Sequence, residues 1–164
     1  MITILDWIAY ATTLYFLLTL ALGLYAWFKG ILPALVRLGK GLSRRKIAIF
    51  AKGDNLKTLM NLLEDTKLFN KRNMIDISSF GDFGRAERAT LFLIFWDDWQ
   101  IEIEDILRAA KDNTALVIYA PKGPGSIPTN VFEKLNSKRN VMLSNFRGRL
   151  LNDIIVSLMT TGYQ

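Results

Sequence analysis

Cysteine and histidine are both absent from this 164-residue chain. Without cysteine the chain can form no disulfide bond and no thiolate metal site. Without histidine it lacks the commonest general base and the commonest transition-metal ligand. We therefore predict no metal site, and a glutamate is the natural candidate for any nucleophile.

Charge is also absent from a long stretch near the N-terminus, residues 7–28, WIAYATTLYFLLTLALGLYAWF. A helix of this length spans about 33 Å, which is enough to cross a bilayer. Trp7 and Tyr10 lie near one end, and Tyr25 and Trp27 near the other, as is typical of the aromatic belts of a membrane span. This pattern predicts a transmembrane helix.

Two other interpretations of the first 28 residues fit less well. A cleaved signal peptide would carry a lysine or arginine before its apolar run, whereas the only early charge is Asp6. A buried helix of a globular domain would not be expected to lack charge over so many residues. We therefore assign residues 1–28 to a transmembrane helix.

The positive charge of the chain is concentrated next to this helix. Of the net charge of +6, residues 1–28 contribute −1, residues 29–46 contribute +6, and residues 47–164 are close to balanced. The basic character is thus juxtamembrane and predicts no DNA partner. By the positive-inside rule, the C-terminal part is cytoplasmic and the N-terminus lies outside. We predict a single-pass protein of the inner (cytoplasmic) membrane.

Residues 29–45, KGILPALVRLGKGLSRR, form a basic juxtamembrane linker in this interpretation. Apolar and basic residues alternate along it. The pattern fits a short helix lying among anionic headgroups, where each basic residue gains roughly 1 kcal/mol. It fits a solvated linker equally well.

The remainder of the chain, residues 46–164, alternates between strand-like and helix-like segments. The predicted strands are residues 46–51, 73–78, 90–96, 114–120 and 141–146. The predicted helices cover residues 56–63, 99–110, 128–137 and 151–159. Such alternation indicates a parallel sheet with right-handed crossovers. The fold class is therefore α/β, a small three-layer Rossmann-like or flavodoxin-like domain with a five-stranded parallel sheet.

Ligands of such sheets bind beyond the carboxyl ends of the strands. The loops at these ends carry six candidate ligand-binding residues: Lys52, Ser79, Arg85, Lys122, Arg147 and Arg149. A helix beginning near Gly148 would add free N–H groups and a positive dipole end, which favours an anion. The alternative is an internal ion pair between Arg149 and Asp153, one turn further on. None of these loops matches a known phosphate-binding motif, so simple turns also fit.

Carboxylates follow the third strand. Asp97 occupies the place where receiver domains keep a phosphorylated aspartate, but the other residues of such a site are missing. Glu102 and Glu104 are the candidate catalytic residues if the protein is an enzyme. The alternative is a solvated helix face, in which Glu104 pairs with Arg108.

The segments FWDDWQIEIEDILRAA and ALVIYAPKGPGSIP resemble TIR and TIR-like domains in order and character, over residues 46–162. That resemblance implies NAD cleavage by a glutamate four residues after a tryptophan, a position held here by Ile103. The domain also resembles the CARF type, a Rossmann-like dimer that binds cyclic oligoadenylate. Both resemblances imply bacterial antiviral signalling in which a nucleotide signal drives assembly and membrane damage.

Three functions follow from these observations. The first is a non-enzymatic sensor-effector with a cyclic-nucleotide or NAD-derived ligand and no resident cofactor. Its partners are the lipid bilayer, other copies of itself and a nucleotide second messenger. Pairs of small residues, Ala9 with Thr13 and Thr19 with Gly23, are spaced for close packing of its transmembrane helices. The second is a membrane-tethered NAD hydrolase, and the third is a membrane-anchored scaffold that binds only protein.

Overall fold

The computed structural model describes residues 4–161, apart from the side chains of residues 34, 37, 38, 40–44 and 124. The chain divides into two compact units, Met1–Gly39 and Lys40–Gln164.

Helix α1 (Ile4–Arg44) begins the described chain and is 41 residues long. Its stretch Ile4–Pro33 has a mean hydropathy of 1.6 and none of it is buried, so it is long and apolar enough to cross a membrane. An N-terminal helix of this kind is consistent with a single membrane span or with a signal sequence. The helix continues through most of the basic segment, and Pro33, which has no N–H group, removes one intrahelical hydrogen bond there.

Three threonines interrupt the apolar surface of α1. The hydroxyl groups of Thr12, Thr13 and Thr19 all donate to backbone carbonyls one turn earlier, at 2.8–3.1 Å. A hydroxyl satisfied within its own helix needs no water, so these residues are compatible with an apolar surrounding.

The second unit contains the remaining elements. Its strands are β1 (Ile47–Phe50), β2 (Met74–Ile77), β3 (Leu91–Phe95), β4 (Ala115–Tyr119) and β5 (Val141–Ser144). Its helices are α2 (Gly53–Asp65), α3 (Phe83–Ala86), α4 (Trp96–Trp99), α5 (Ile103–Ala109), α6 (Thr129–Ser137) and α7 (Arg147–Thr160).

All five strands pair in parallel, in the order β2-β1-β3-β4-β5. Ile47 of β1 lies beside Leu91 of β3, and Leu91 lies beside Ala115 of β4. Strand β1 and the first four residues of β3 and β4 are buried, as apolar runs covered on both faces should be. The predicted five-stranded parallel α/β fold is confirmed, and its strand order is flavodoxin-like.

Successive residues of the central strands enter two different cores because side chains alternate across a strand. On one face, the strands pack against α2 and α7 through residues such as Leu63 and Ile154. On the other face, they pack against α3, α4, α5 and α6, with Trp96 and Trp99 among the largest buried side chains. This gives the three layers that the alternating sequence predicts.

The helix predicted over residues 99–110 begins only at Ile103, as α5, and the WDDW segment predicted as a loop forms the separate short helix α4, with residues 100–102 between the two helices. Helix α4 begins directly after β3, and the carboxylate of Asp98 is bonded to the loop that follows β1. The break between the helices lets Asp98 reach that loop while Ile103 and Ile106 remain in the core. Ile101, in the break, is 93% exposed.

Arg45 directly follows α1 and is only 7% exposed. Its guanidinium donates to the hydroxyl of Thr161 at 2.7 Å and to the carbonyl of Thr161 at 2.5 Å. Thr161 is itself buried and caps the end of α7 by donating to the carbonyl of Ser157. A residue counted with the basic linker in the sequence is thus a buried structural contact of the second unit.

Candidate functional site

The strand order determines which loops can share a ligand at the carboxyl edge of the sheet. The loop after β1 lies between the loops after β2 and β3, and the loops after β4 and β5 follow on the other side. Adjacent strands are about 4.8 Å apart, so β2 and β5 lie roughly 19 Å from each other. The six predicted ligand-binding residues therefore cannot all surround one phosphate group.

The switch in strand order falls between β1 and β3, where ligands of this fold commonly bind. Here that position is occupied by the chain's own carboxylate. Asp98 Oδ2 accepts a hydrogen bond from the backbone N–H of Lys52 at 2.7 Å, and Asn55 Nδ2 donates to both oxygens of Asp98 at 3.0 and 3.2 Å. Asp98 thus places an internal negative charge at the start of α2.

Lys52 lies at the same switch point. Its Nζ is 3.5 Å from Glu102 Oε1 and 4.6 Å from the centroid of the Trp99 ring. A cation over the face of a buried indole, with a carboxylate beside it, is well neutralised. Lys52 is therefore already engaged within the chain.

Lys122, after β4, is also paired. Its Nζ lies 3.0 Å from Asp97 Oδ2, and the lysine side chain is mostly exposed. The carboxylate that the sequence compares with a receiver aspartate thus forms an ion pair with one of the predicted ligand-binding lysines.

The loop after β2 contains a self-contained polar cluster. Ser79 donates its hydroxyl to Asp82 Oδ2 at 2.8 Å, and Arg85 lies 2.8 Å from Asp76 and 3.5 Å from Asp82. The hydrogen bond from Ser79 is the main reason that the pKa of Asp82 is lowered. The hydrogen bond to Asp76 raises the pKa of Arg85. Ser79 and Asp82 also form a capping box on the short turn that starts α3.

Arg149 and Arg147 differ in their surroundings although both lie in the first turn of α7. Arg149 Nε is 3.3 Å from Asp153 Oδ1, as the alternative interpretation of the sequence expects. Asp153 is 2% exposed, and its Oδ2 has no hydrogen-bond partner in the described part of the chain. Arg149 therefore compensates a buried carboxylate, whose charge would be costly without a partner.

Arg147 is exposed, and its side chain forms no hydrogen bond or ion pair with the side chains and backbone that the structure describes. It is the first residue of α7, and the first hydrogen bonds of this helix run from the amides of Arg149 and Leu150 to the carbonyl of Phe146. The amides of Arg147 and Gly148 precede those bonds at the positive end of the helix dipole.

Arg147 also lines a pocket of about 180 Å³ between the first turns of α2 and α7. The other lining residues are Asn55, Thr58, Leu59, Leu62, Phe95, Tyr119 and Pro121. The rings of Phe95 and Tyr119, the last residues of β3 and β4, meet edge to face with centroids 5.6 Å apart. A positively charged side chain thus lies beside an apolar, partly aromatic wall at the carboxyl edge of the sheet.

The two candidate catalytic glutamates lie in different places. Glu102 precedes α5 and faces Lys52 at the switch point. Glu104 lies on α5 and forms an ion pair with Lys134 of α6, which lowers the pKa of Glu104. Arg108, the partner expected from spacing, pairs with Asp105 instead.

Sequence reasoning missed part of the pocket and the buried contact of Arg45. Phe95 and Tyr119 lie one residue before the ends of the predicted strands 90–96 and 114–120, so they could have been found from the rule that strand ends point to the ligand edge. Thr58 lies within a helical pattern, and nothing in its local sequence indicates a pocket. Arg45 stands in a basic run, where burial cannot be recognised by composition.

The fold and the pocket define a class: a flavodoxin-like α/β domain that follows a long apolar helix. Comparison with protein-family models, with curated proteins and with solved structures found no match to the chain. Its function is therefore argued from its own residues.

Proposed function

We propose that this protein is a membrane-anchored sensor whose α/β domain binds an anionic ligand through Arg147 and thereby controls self-association of its N-terminal helix. One observation carries the proposal. Among the six basic or hydroxyl residues at the carboxyl edge that were expected to bind ligand, five are bonded to acidic residues of the same chain. Arg147 lacks such a partner among the described residues and lines a pocket.

The proposed anchor is the apolar stretch Ile4–Pro33 of α1. The excess of lysine and arginine that follows residue 28 supports an orientation with the α/β domain in the cytoplasm and the N-terminus outside. In this proposal the chain crosses the inner membrane once. The anchor would hold the sensor domain at the cytoplasmic face.

Helix α7 is the proposed route from ligand to membrane helix. It carries Arg147 at one end, and Thr161, which follows its other end, is bonded to Arg45. Fourteen helical residues span about 21 Å and behave as one stiff element. A ligand that shifts or stiffens α7 therefore acts on the residue that directly follows α1.

Self-association is required for any effect on the membrane, because a single helix encloses no pore. The resemblance to TIR-like and CARF-like domains connects the proposal to bacterial antiviral defence, with a nucleotide second messenger as the signal and membrane disruption as the outcome. That connection comes from the resemblance alone. The pocket supports the narrower part of the proposal, the binding of an anionic group.

The test uses the full-length protein in lipid nanodiscs. Its melting temperature is measured against NAD derivatives, cyclic oligonucleotides and small anions, and NAD turnover is read in the same wells. A ligand at 100 times its dissociation constant stabilises the folded state by about 2.7 kcal/mol, which is a shift of several degrees. We expect at least one anion to produce this shift.

Two arginines at opposite ends of β5 provide the matched variants. Arg147→Ala should abolish the shift without unfolding the domain. Arg139→Ala removes the same charge just before β5, at the amino edge of the sheet, and should leave the shift intact. If a folded Arg147→Ala protein binds every ligand as the parent protein does, this pocket is not the sensor site.

The same measurement separates the alternatives. NAD turnover that is lost in Glu102→Gln would support a membrane-tethered NAD hydrolase, since Glu102 is the candidate glutamate that lies at the ligand edge. Absence of both a shift and turnover would support a membrane-anchored scaffold that binds only protein.

A further inference from the structure

The wall of the Arg147 pocket carries little charge. Of the eight lining residues, Arg147 is the only ionised one, and Asn55 and Thr58 are the polar neutral ones. The remaining wall is formed by two leucines, a proline and the rings of Phe95 and Tyr119. One guanidinium matches one anionic group, and the rest of the wall favours apolar or aromatic atoms.

The surroundings of the pocket disfavour additional negative charges. Asn55 lines the pocket and is bonded to Asp98, so a carboxylate lies directly behind that part of the wall. The other cations described at this edge are each paired with a carboxylate of the same chain: Lys52 with Glu102, Arg85 with Asp76, Lys122 with Asp97 and Arg149 with Asp153. A second or third phosphate group would thus meet acidic residues and no available lysine.

The volume of the pocket limits the body of the ligand. At about 180 Å³ it is smaller than the pockets of roughly 300–1,000 Å³ that enclose drug-sized molecules. It has room for one ring or a short aliphatic chain together with the anionic group. A dinucleotide or a cyclic oligonucleotide could place only one of its parts inside.

We infer that the ligand of this pocket is a compact amphipathic anion, with one carboxylate or phosphate group held by Arg147 and an apolar body packed against Phe95 and Tyr119. This inference rests on the proposed function and specifies the chemical class of the signal. The hydroxyl groups of Thr58 and Tyr119 form no hydrogen bond within the described residues and are available to the oxygen atoms of the ligand.

Isothermal titration of the full-length protein in nanodiscs tests the inference with five probes: phenyl phosphate, 3-phenylpropionate, inorganic phosphate, acetate and NAD. A titration into empty nanodiscs measures the heat released when the phenyl probes partition into lipid, and this heat is subtracted. We expect at least one phenyl probe to bind about tenfold or more tightly than the inorganic or methyl anion that shares its charged group. NAD should bind more weakly than that probe.

The two phenyl probes identify the anionic group. Preference for phenyl phosphate would assign a phosphate, and preference for 3-phenylpropionate would assign a carboxylate. Thr58→Phe, a substitution at an exposed lining position, should fill the pocket and remove the advantage of the phenyl group. Leu62→Asn should reduce the same advantage by making the wall polar, and circular dichroism confirms that both variants are folded.

The outcomes distinguish this inference from the proposed function. Binding that depends on Arg147 but is equally tight for inorganic phosphate and phenyl phosphate overturns the ligand class and leaves the sensor intact. Tighter binding of NAD than of either phenyl probe also overturns the ligand class. If no probe binds and the wider anion panel produces no thermal shift, the proposed function fails as well.

Discussion

At the scale of single residues, the role of each charged side chain at the carboxyl edge depends on what lies within 4 Å of it. Lys52, Lys122 and Arg149 have the same kind of charge as Arg147, yet each is neutralised by a carboxylate. The pairs of Lys52 and Lys122 are partly exposed and contribute little stability, whereas Arg149 compensates the buried Asp153. In each case a ligand must displace the carboxylate before it can bind. Arg147 requires no such exchange, which is why we place the anion there.

Gly53 is a residue whose backbone conformation matters more than the space around it. Its φ is +55°, and an added Cβ would have no atom within 4 Å. Gly53→Ala should therefore lower the free energy of unfolding by about 1–2 kcal/mol through backbone strain alone. Gly84→Ala is the control, because Gly84 has equally open space but an ordinary helical φ. It should be neutral or stabilising by about 0.5–1 kcal/mol. Chemical denaturation of both variants measures the difference, and equal effects would contradict the strain argument.

The ion pair of Glu104 with Lys134 predicts a pH dependence. Lys134 lowers the pKa of Glu104 below the ordinary value of 4.5, so the folded state is favoured when this carboxylate is charged. The stabilisation is fully present above pH 4.5 and is lost as the pH falls through the lowered pKa. Lys134→Gln should thus reduce the melting temperature near neutral pH, and the difference from the parent protein should vanish in acid.

Lys111→Gln serves as the control for this pH series, because Lys111 is exposed and forms no ion pair within the described chain. Its effect on the melting temperature should be small at every pH. A difference between the Lys134→Gln and parent proteins that persists below the pKa of Glu104 would show that the lysine stabilises the fold by some other contact.

At the scale of elements, α7 carries the proposed ligand-binding residue Arg147 at one end. Thr161, which follows its other end, is buried and bonded to Arg45. The inner face of α7 packs on β3, β4 and β5 through Leu150, Ile154 and Leu158. The helix is therefore held along its length by the sheet, and a change at its first turn affects packing that extends to its last.

Replacing Arg45 tests whether α7 connects ligand binding at Arg147 to the N-terminal helix. Arg45→Met should lower the free energy of unfolding by about 1–3 kcal/mol, because the buried carbonyl of Thr161 loses a donor. Ligand binding at Arg147 should be retained, while ligand-dependent cross-linking between copies should be lost. Lys46→Met removes a positive charge one position later, at a side chain that forms no ion pair within the described residues, and should change neither property. Cross-linking that survives in a folded Arg45→Met protein would exclude this contact as the link.

At the scale of the whole molecule, the proposed membrane anchor and its orientation are open to direct test. The sequence contains no cysteine, so one introduced cysteine is the single thiol of the variant and can be labelled without first removing others. Ile101→Cys places a thiol at a residue that is 93% exposed on the α/β domain, and Thr3→Cys places one before the apolar stretch. A membrane-impermeant maleimide should label Thr3→Cys in intact spheroplasts and Ile101→Cys only in inverted vesicles. The reverse pattern would reject the proposed orientation.

Self-association of α1 is the second property at this scale. Gly23 has open space around its Cβ position, so Gly23→Leu should not disturb the helix of a single chain. It should weaken association if Thr19 and Gly23 lie at the helix–helix contact. Ala21→Leu adds similar bulk on the opposite face, two residues or about 200° away, and should have a smaller effect. Equal cross-linking in the two variants and the parent protein would place the contact elsewhere.

The sequence by itself determined the order and type of most elements. Uninterrupted apolar runs identify the strands, and residues 7–28 identify an apolar helix without reference to any neighbour. Parallel pairing follows from the alternation of strands and helices. These features depend on local periodicity and on burial, both of which the chain carries in its own pattern.

Only the tertiary structure decided which side chains meet. Arg45 is buried against Thr161, and Glu104 pairs with Lys134, so both contacts join residues that are far apart in the sequence. The break between α4 and α5 likewise becomes visible only in the folded chain. A basic residue has the same local signature whether a carboxylate from another loop lies beside it or not. The distinction between Arg147 and its paired neighbours therefore becomes visible only when the five strand ends stand side by side, because partners distant in sequence determine the electrostatic environment there.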